Sequence, residues 1–260
     1  MNDSPDGGKT VASVEKAVAL LNAIAASENG MSVTELSRSL GYGVSATYHL
    51  LNTLRQQEYL QQDAQTRRYN IGLGIFRLHA LAQRQNTLPS IVQPYLDELS
   101  NVCGETSNLM VLQDEEAVYI AQSESSHMIK MFTQIGARVP YYCTGGGKVI
   151  LAYLPDEVQG LYIKRARFIP FTKHTLSDKK SLERELKKIR RQGYSIDNEE
   201  REEGVTCIAA PVFNAAGTPI AAISVSGPTY RLEQRGQDKL IGYVLQSAKK
   251  LSVRMGCQTV

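Results

Sequence analysis

The chain has 260 residues, 42% hydrophobic and 21% charged, enough for two domains of ordinary size with real cores. A formal net charge of +3 singles out no class of partner, and no apolar run approaches the ~18 residues that cross a membrane. Cys103, Cys143, Cys207 and Cys257 are too scattered for a C-x-x-C zinc or redox pair; with a polar opening, MNDSPDGGKT, that has no signal-peptide core, they predict a cytoplasmic protein.

In chain order, VASVEKAVALLNAIAAS repeats apolar residues at helical spacing (Val14, Val18, Leu21, Ala25, with Ala17, Leu20 and Ile24 alongside), and Ser13 is the expected N-cap. MSVTELSRSLG follows, with Ser32 and Glu35 spaced as a capping box and Gly41 placed to end the helix. After Gly41-Tyr42-Gly43, VSATYHLLNTLRQQ is helical again, with Thr47, Leu50, Leu51 and Leu54 expected inward. Two short helices joined by a tight glycine turn, behind a longer helix, form a helix-turn-helix.

EYLQQDAQTRRYNIG then reads as strand, turn and strand, a wing with Arg67 and Arg68 near its tip. From Arg38 to Arg84 there are six arginines and two acids, a local charge of +4. Such arginines suit phosphate contacts, against the plainer readings of a solvated basic face and a stabilising hairpin. The groove-facing set on the second short helix is Ser45, Ala46, Tyr48 and His49, with Arg38, Arg55, Arg67 and Arg68 as backbone contacts. These residues predict duplex DNA as a partner. The expected DNA-binding domain is 1–72, and residues 73–87 form a linker helix.

From residue 88 the character changes to α+β. Strand-like runs (SNLMVLQ, AVYIAQS, MIKMFT, CIAAPVF, IAAISVSG) alternate with helices near 90–103, 146–153, 178–192 and 232–255. Inside this domain, GYSIDNEEREEGVTCIAAP places five carboxylates in seven positions just before an apolar strand with Cys207. A nucleophile with acid/base partners, a metal site, and a ligand pocket behind a solvated acidic loop all fit that pattern.

Four segments resemble the IclR family of bacterial transcriptional regulators: SVEKAVALLNAI; SVTELSRSLGYGVSATYHLLNTLRQQEYL with RRYNIGLGIFRL; VPYYCTGGGKVILAYL; and GYSIDNEEREEGVTCIAAPVF with AAISVSGPTYRL. The resemblance implies an N-terminal winged helix-turn-helix, a linker helix, and a GAF/PAS-like effector-binding domain over 88–260. It implies a homodimer or homotetramer, no cofactor, and a repressor more than an activator of a catabolic operon. The effector it implies is a small carboxylate, such as a sugar acid or 2-keto acid, in a pocket of Thr144, Gly145, Gly146, Asp197, Cys207, Ser224 and Ser226. The residues agree. Glycines at a helix start let backbone N–H groups approach an anion. Ser224 and Ser226, two apart on a strand, share a face. Met128, Val139, Tyr141 and Tyr142 could supply walls, and Glu199, Glu200, Glu202 and Glu203 read as a solvated loop. The chain departs from the family at Val44 and His49, where lysine and arginine are common.

An enzyme using Cys207 would need a base, but His127 and His174 carry no motif, and an apolar strand does not favour a thiolate. GGGK is no Walker loop, since Tyr142 and Val149 stand where glycine and serine or threonine are needed. His127, His174, Cys143 and Asp197 lack metal-ligand spacing.

Overall fold

The computed structural model describes residues 10–85 and 88–258, and the chain divides into two compact units between Thr87 and Leu88. The first contains α1 (Ala12–Ala25), α2 (Val33–Leu40), α3 (Val44–Gln56), the antiparallel pair β1 (Leu60–Gln62) and β2 (Tyr69–Ile71), and α4 (Leu73–Gln85). Leu20, Ile24, Leu36, Leu51, Leu54, Leu60 and Tyr69 form its core. Val14 and Val18 instead face solvent at 59% and 50%, so α1 buries only its Leu20–Ile24 side.

Local rules account for much of this unit. Ser32 N–H donates to Glu35 at 2.8 Å and Glu35 N–H to the Ser32 hydroxyl at 3.3 Å, a complete capping box. Gly41 closes α2 at φ 68°, a left-handed conformation that costs glycine little. Ser13 is not the cap of α1. Val11 holds that position without a side-chain hydrogen bond, because the helix starts at Ala12, two residues earlier than a Ser13 cap implies. Of the expected linker helix, residues 86 and 87 lie outside the described residues, as do residues 1–9 of the polar opening.

The second unit is a six-stranded antiparallel sheet in the order β5-β4-β3-β8-β7-β6. Its strands are β3 (Thr106–Gln113), β4 (Glu116–Ser123), β5 (Arg138–Val139), β6 (Ser195–Asn198), β7 (Val205–Phe213) and β8 (Pro219–Pro228). The helices are α5 (Leu88–Cys103), α6 (Gly145–Tyr153), α7 (Asp156–Arg165), α8 (Lys179–Gln192), α9 (Thr229–Arg235) and α10 (Gln237–Arg254). The period of two sorts the strands between faces. Ile208, Ala210, Val212, Ile223 and Val225 pack with α5 and α10. Ala209, Ala222 and Met110 pack with α6 and α8. Leu182, Leu186 and Ile189 give α8 a buried stripe, each side chain contributing about 2 kcal/mol.

This architecture is the expected α+β class, with several local corrections. MIKMFT forms no strand; at the outer edge of β4 it is Arg138–Val139 that pairs, with Ala117 and Val118. The segment instead exposes Met128, Ile129 and Phe132, and the Thr106 hydroxyl ties it by donating to the Met131 carbonyl at 3.3 Å. The expected 232–255 helix is two helices, α9 and α10, parted at Gly236 with φ 86°. Asp197 is not in a loop but on the edge strand β6, opposite Cys207.

Candidate DNA-binding face and effector pocket

In the first unit, α3 buries Thr47, Leu51 and Leu54, and Ser45, Ala46, Tyr48 and His49 are exposed on its other side. The Tyr48 and His49 rings meet edge-on at 5.9 Å. Arg38, Arg55 and Arg67 are exposed. Arg67 sits at φ 56° in the wing turn, which Asp63 holds by accepting from the Thr66 N–H at 2.7 Å and the Thr66 hydroxyl at 2.8 Å. Arg68 differs from the expectation of a free backbone contact. Its guanidinium donates to the Asn29 carbonyl at 3.1 Å and the Gly30 carbonyl at 3.1 Å, and pairs with Glu35 at 2.9 Å. Those contacts clamp the wing to the start of α2 and leave Arg67 as the unclamped cation of the pair.

In the second unit, strand register brings the expected effector-site residues together. Asp197 lies opposite Cys207, Cys207 opposite Ser226, and Ser226 opposite Thr106. One step along, Ala209, Ser224, Asn108 and Gln122 form a parallel row. Directly paired residues of an antiparallel sheet project to one side, and so do residues two apart. Asp197, Cys207, Ser224, Ser226 and Asn108 therefore share the face on which α6 packs.

The glycines of α6 permit that approach. A Cβ on Gly145 would stand 3.1 Å from the Cys207 sulfur, and one on Gly146 2.7 Å from the Met110 sulfur. Thr144 is the N-cap, but its hydroxyl donates to the Pro140 carbonyl at 3.1 Å rather than capping the helix. The first-turn N–H groups of α6 thus lack a side-chain cap, the local condition for holding an anion. Ser195 secures the helix by donating to the Gly145 carbonyl at 2.5 Å.

Charge beneath α6 is arranged by burial. Lys148 is fully buried, ion-pairs with Glu200, and donates to the Ile196 carbonyl at 2.8 Å. Glu200 is accordingly not part of a solvated loop. It is 7% exposed, its carboxyl is held above the ordinary range by burial, and among the described residues its Oε2 has no hydrogen-bond partner. Asp197 accepts from the Glu200 N–H at 2.7 Å. Burial, opposed by Lys148 and reinforced by Glu200, pushes the Asp197 carboxyl up to about 7. Desolvation and the Asp197 charge push the Cys207 thiol up to about 11, so it is a neutral thiol near pH 7 and a poor nucleophile.

The other expected wall residues divide. Tyr142 is buried, with its hydroxyl accepting from the Ile169 N–H at 2.8 Å and donating to the Ile169 carbonyl at 3.3 Å. Val139 is half-buried against the same cluster. Met128 is fully exposed rather than a buried wall, in a segment that forms no strand. Sequence reasoning missed Lys148, Glu200, Asn108 and Thr133. Asn108 is buried, donates weakly to Ser226 at 3.5 Å and accepts from the Thr133 hydroxyl at 2.8 Å. Lys148 had a readable signal, as the only charged residue between Arg138 and Asp156. Among the described residues, no group of three or more His, Cys, Asp or Glu side chains is placed to hold a metal, and no helix is long and apolar enough to cross a membrane.

A winged helix-turn-helix unit and an α+β unit with a buried polar cluster define a ligand-responsive DNA-binding regulator. Comparison with known proteins agrees. The family model for the bacterial transcriptional regulator IclR C-terminal domain matches residues 80–253, and that for the IclR helix-turn-helix domain matches residues 13–64. The HTH-type transcriptional repressor AllR of Salmonella typhi is 33% identical over 255 residues, covering 97% of this chain and 93% of AllR. The HTH-type transcriptional regulator BhcR of Paracoccus denitrificans is 34% identical, covering 94% and 88%. The crystal structure of the Agobacterium tumefaciens repressor BlcR aligns with a TM-score of 0.79 at 26% identity, covering 96% of this chain and 99% of BlcR. The chain belongs to the IclR family of transcriptional regulators and is not an enzyme.

Proposed function

We propose that the protein is a repressor of a catabolic operon, released from its operator by a small carboxylate such as a sugar acid or 2-keto acid. Residues 1–72 bind the operator, 73–87 link, and 88–260 sense the effector. The effector rests on Thr144, Gly145 and Gly146 at the start of α6, and on Asp197, Cys207, Ser224 and Ser226 from the sheet. Tyr142 and Val139 form its walls.

One observation carries this reading: the Asp197–Cys207–Ser226 row lies across three strands beneath the uncapped glycine end of α6. Helix N–H groups suit a carboxylate, and hydroxyl, thiol and carboxyl groups suit the remaining oxygens. AllR and BlcR are both repressors, which supports that direction of control. Ser45, Ala46, Tyr48 and His49 read the groove, and Arg38, Arg55 and Arg67 meet phosphates. The protein acts as a homodimer or homotetramer, consistent with two-fold operator recognition.

The test is a thermal-shift screen of the full chain against sugar acids and 2-keto acids, followed by operator release in gel shift. A ligand that binds the native state raises the melting point. The expected hit does so and frees the operator. An acid that raises the melting point without changing DNA binding overturns the regulatory reading.

A further inference from the structure

The acidic stretch carries a cation that the proposed effector contacts leave unused. Arg201 follows Glu200 in the acidic stretch, is half-buried, and stacks its guanidinium over the Phe171 ring at 4.0 Å. Among the described residues, no carboxylate lies within ion-pair distance of it. Its loop is pinned: Thr172 and Thr175 each donate a hydroxyl at 2.6 Å, to the Glu199 and Glu200 carbonyls respectively. The side chain is therefore pre-positioned rather than free to wander, and less conformational entropy remains to be lost on binding.

A second group is turned toward the same place. The β3–β4 ladder runs Leu109 opposite Ala121 and then Met110 opposite Tyr119, passing over Ile120. This bulge puts Tyr119 on the α6 side of the sheet with Met110, whereas an unbroken ladder would have put Ile120 there. Tyr119 is 8% exposed, and among the described residues its hydroxyl has no hydrogen-bond partner. Asp197, Cys207 and Cys143 are its charged or titratable neighbours, and Arg201 is the cation among them. The Arg201 charge also acts on Tyr142 and Cys143.

Charge bookkeeping inside the pocket then separates two poles. Lys148 is committed to Glu200 and the Ile196 carbonyl, so it is not available to a ligand. The amide end of α6, equivalent to about half a positive charge, suits one carboxylate. Arg201 offers a planar fork of donors that fits a second. Resting on the effector reading above, we propose that Arg201 and Tyr119 form a second anion pole and that the effector is a dicarboxylate, such as a sugar diacid, spanning from α6 to Arg201.

The test is calorimetric titration of the full-length protein with galactarate against galactonate and glucarate against gluconate, pairs that differ in one terminal carboxylate. The expected result is tighter binding of the dicarboxylate in at least one pair. Arg201→Gln should weaken the preferred dicarboxylate by about tenfold to a hundredfold, the usual range for a lost hydrogen bond to a charged group, while changing its monocarboxylate partner less than twofold. Tyr119→Phe should weaken the dicarboxylate several-fold with no change in ligand-free melting point. No dicarboxylate preference in either pair, or equal losses for both acids in Arg201→Gln, overturns the second pole. Ser226→Ala separates this from the reading beneath it. If it weakens both acids while Arg201→Gln weakens neither, the pocket stands and only the second pole falls.

Discussion

Lys148 and Glu200, 52 positions apart in sequence, form an ion pair in which the lysine is wholly buried, joining α6 to the turn after β6. Taking one partner away leaves an uncompensated buried charge. Lys148→Met should destabilise the effector-binding unit by about 3–5 kcal/mol, and Lys148→Met with Glu200→Leu should recover most of that loss. Urea denaturation at pH 7.5 measures both variants. A single variant as stable as wild type would show that the pair contributes nothing.

Asp197 makes stability and effector binding depend on pH in a definite direction. Its folded carboxyl titrates near 7 against an ordinary 3.8, so the native state binds more protons than the unfolded state between those values. The Asp197 contribution to stability is therefore fully present below about pH 4 and is lost as pH rises to about 7. Asp197→Asn should remove this slope and stabilise the protein at pH 8. A bound carboxylate raises the Asp197 proton affinity further, so effector affinity should fall as pH passes 7 in wild type and stay flatter in the variant. Titrations at pH 6, 7 and 8 test this, and parallel curves for the two proteins would count against it.

Ser224 and Ser226 project toward α6 and should act on effector rather than DNA. Ser224→Ala or Ser226→Ala is expected to cost about 1–3 kcal/mol of effector affinity while operator affinity without effector stays unchanged. Cys207→Ser should keep most of the response, since a hydroxyl replaces a neutral thiol. Operator release titrated against effector, variant by variant, provides the measurement. Loss of DNA affinity in the serine variants would place them in structure rather than recognition.

Adjacent wing arginines should behave differently. Arg67→Ala should weaken operator and random DNA alike and shallow the log–log salt slope by about one. Arg68→Ala should instead lower the melting point of the isolated helix-turn-helix unit by losing contacts worth about 1–2 kcal/mol. A salt series beside a melting curve distinguishes them, and an unchanged slope for Arg67→Ala would take the wing out of the interface.

The sequence by itself determined the parts of this protein whose causes lie within a few residues. The Ser32–Glu35 capping box, the left-handed Gly41 and the inward stripe Thr47, Leu51, Leu54 all follow from neighbours three or four positions away. That was enough to read the helix-turn-helix, and the repeated apolar strands were enough for the α+β class. Tertiary structure decided which charges are used. Five carboxylates look alike in DNEEREE, yet Glu200 is buried because Lys148 arrives from α6, and Arg68 is spent because Gly30 and Glu35 reach it across more than thirty residues. MIKMFT has strand composition yet forms no strand, while Arg138–Val139, two residues long, pairs with Ala117 and Val118 of β4. The bulge that aims Tyr119 has no signature in composition at all. Burial, pairing and register are properties of what the chain meets, and a residue meets its distant partners only once the sheet has closed.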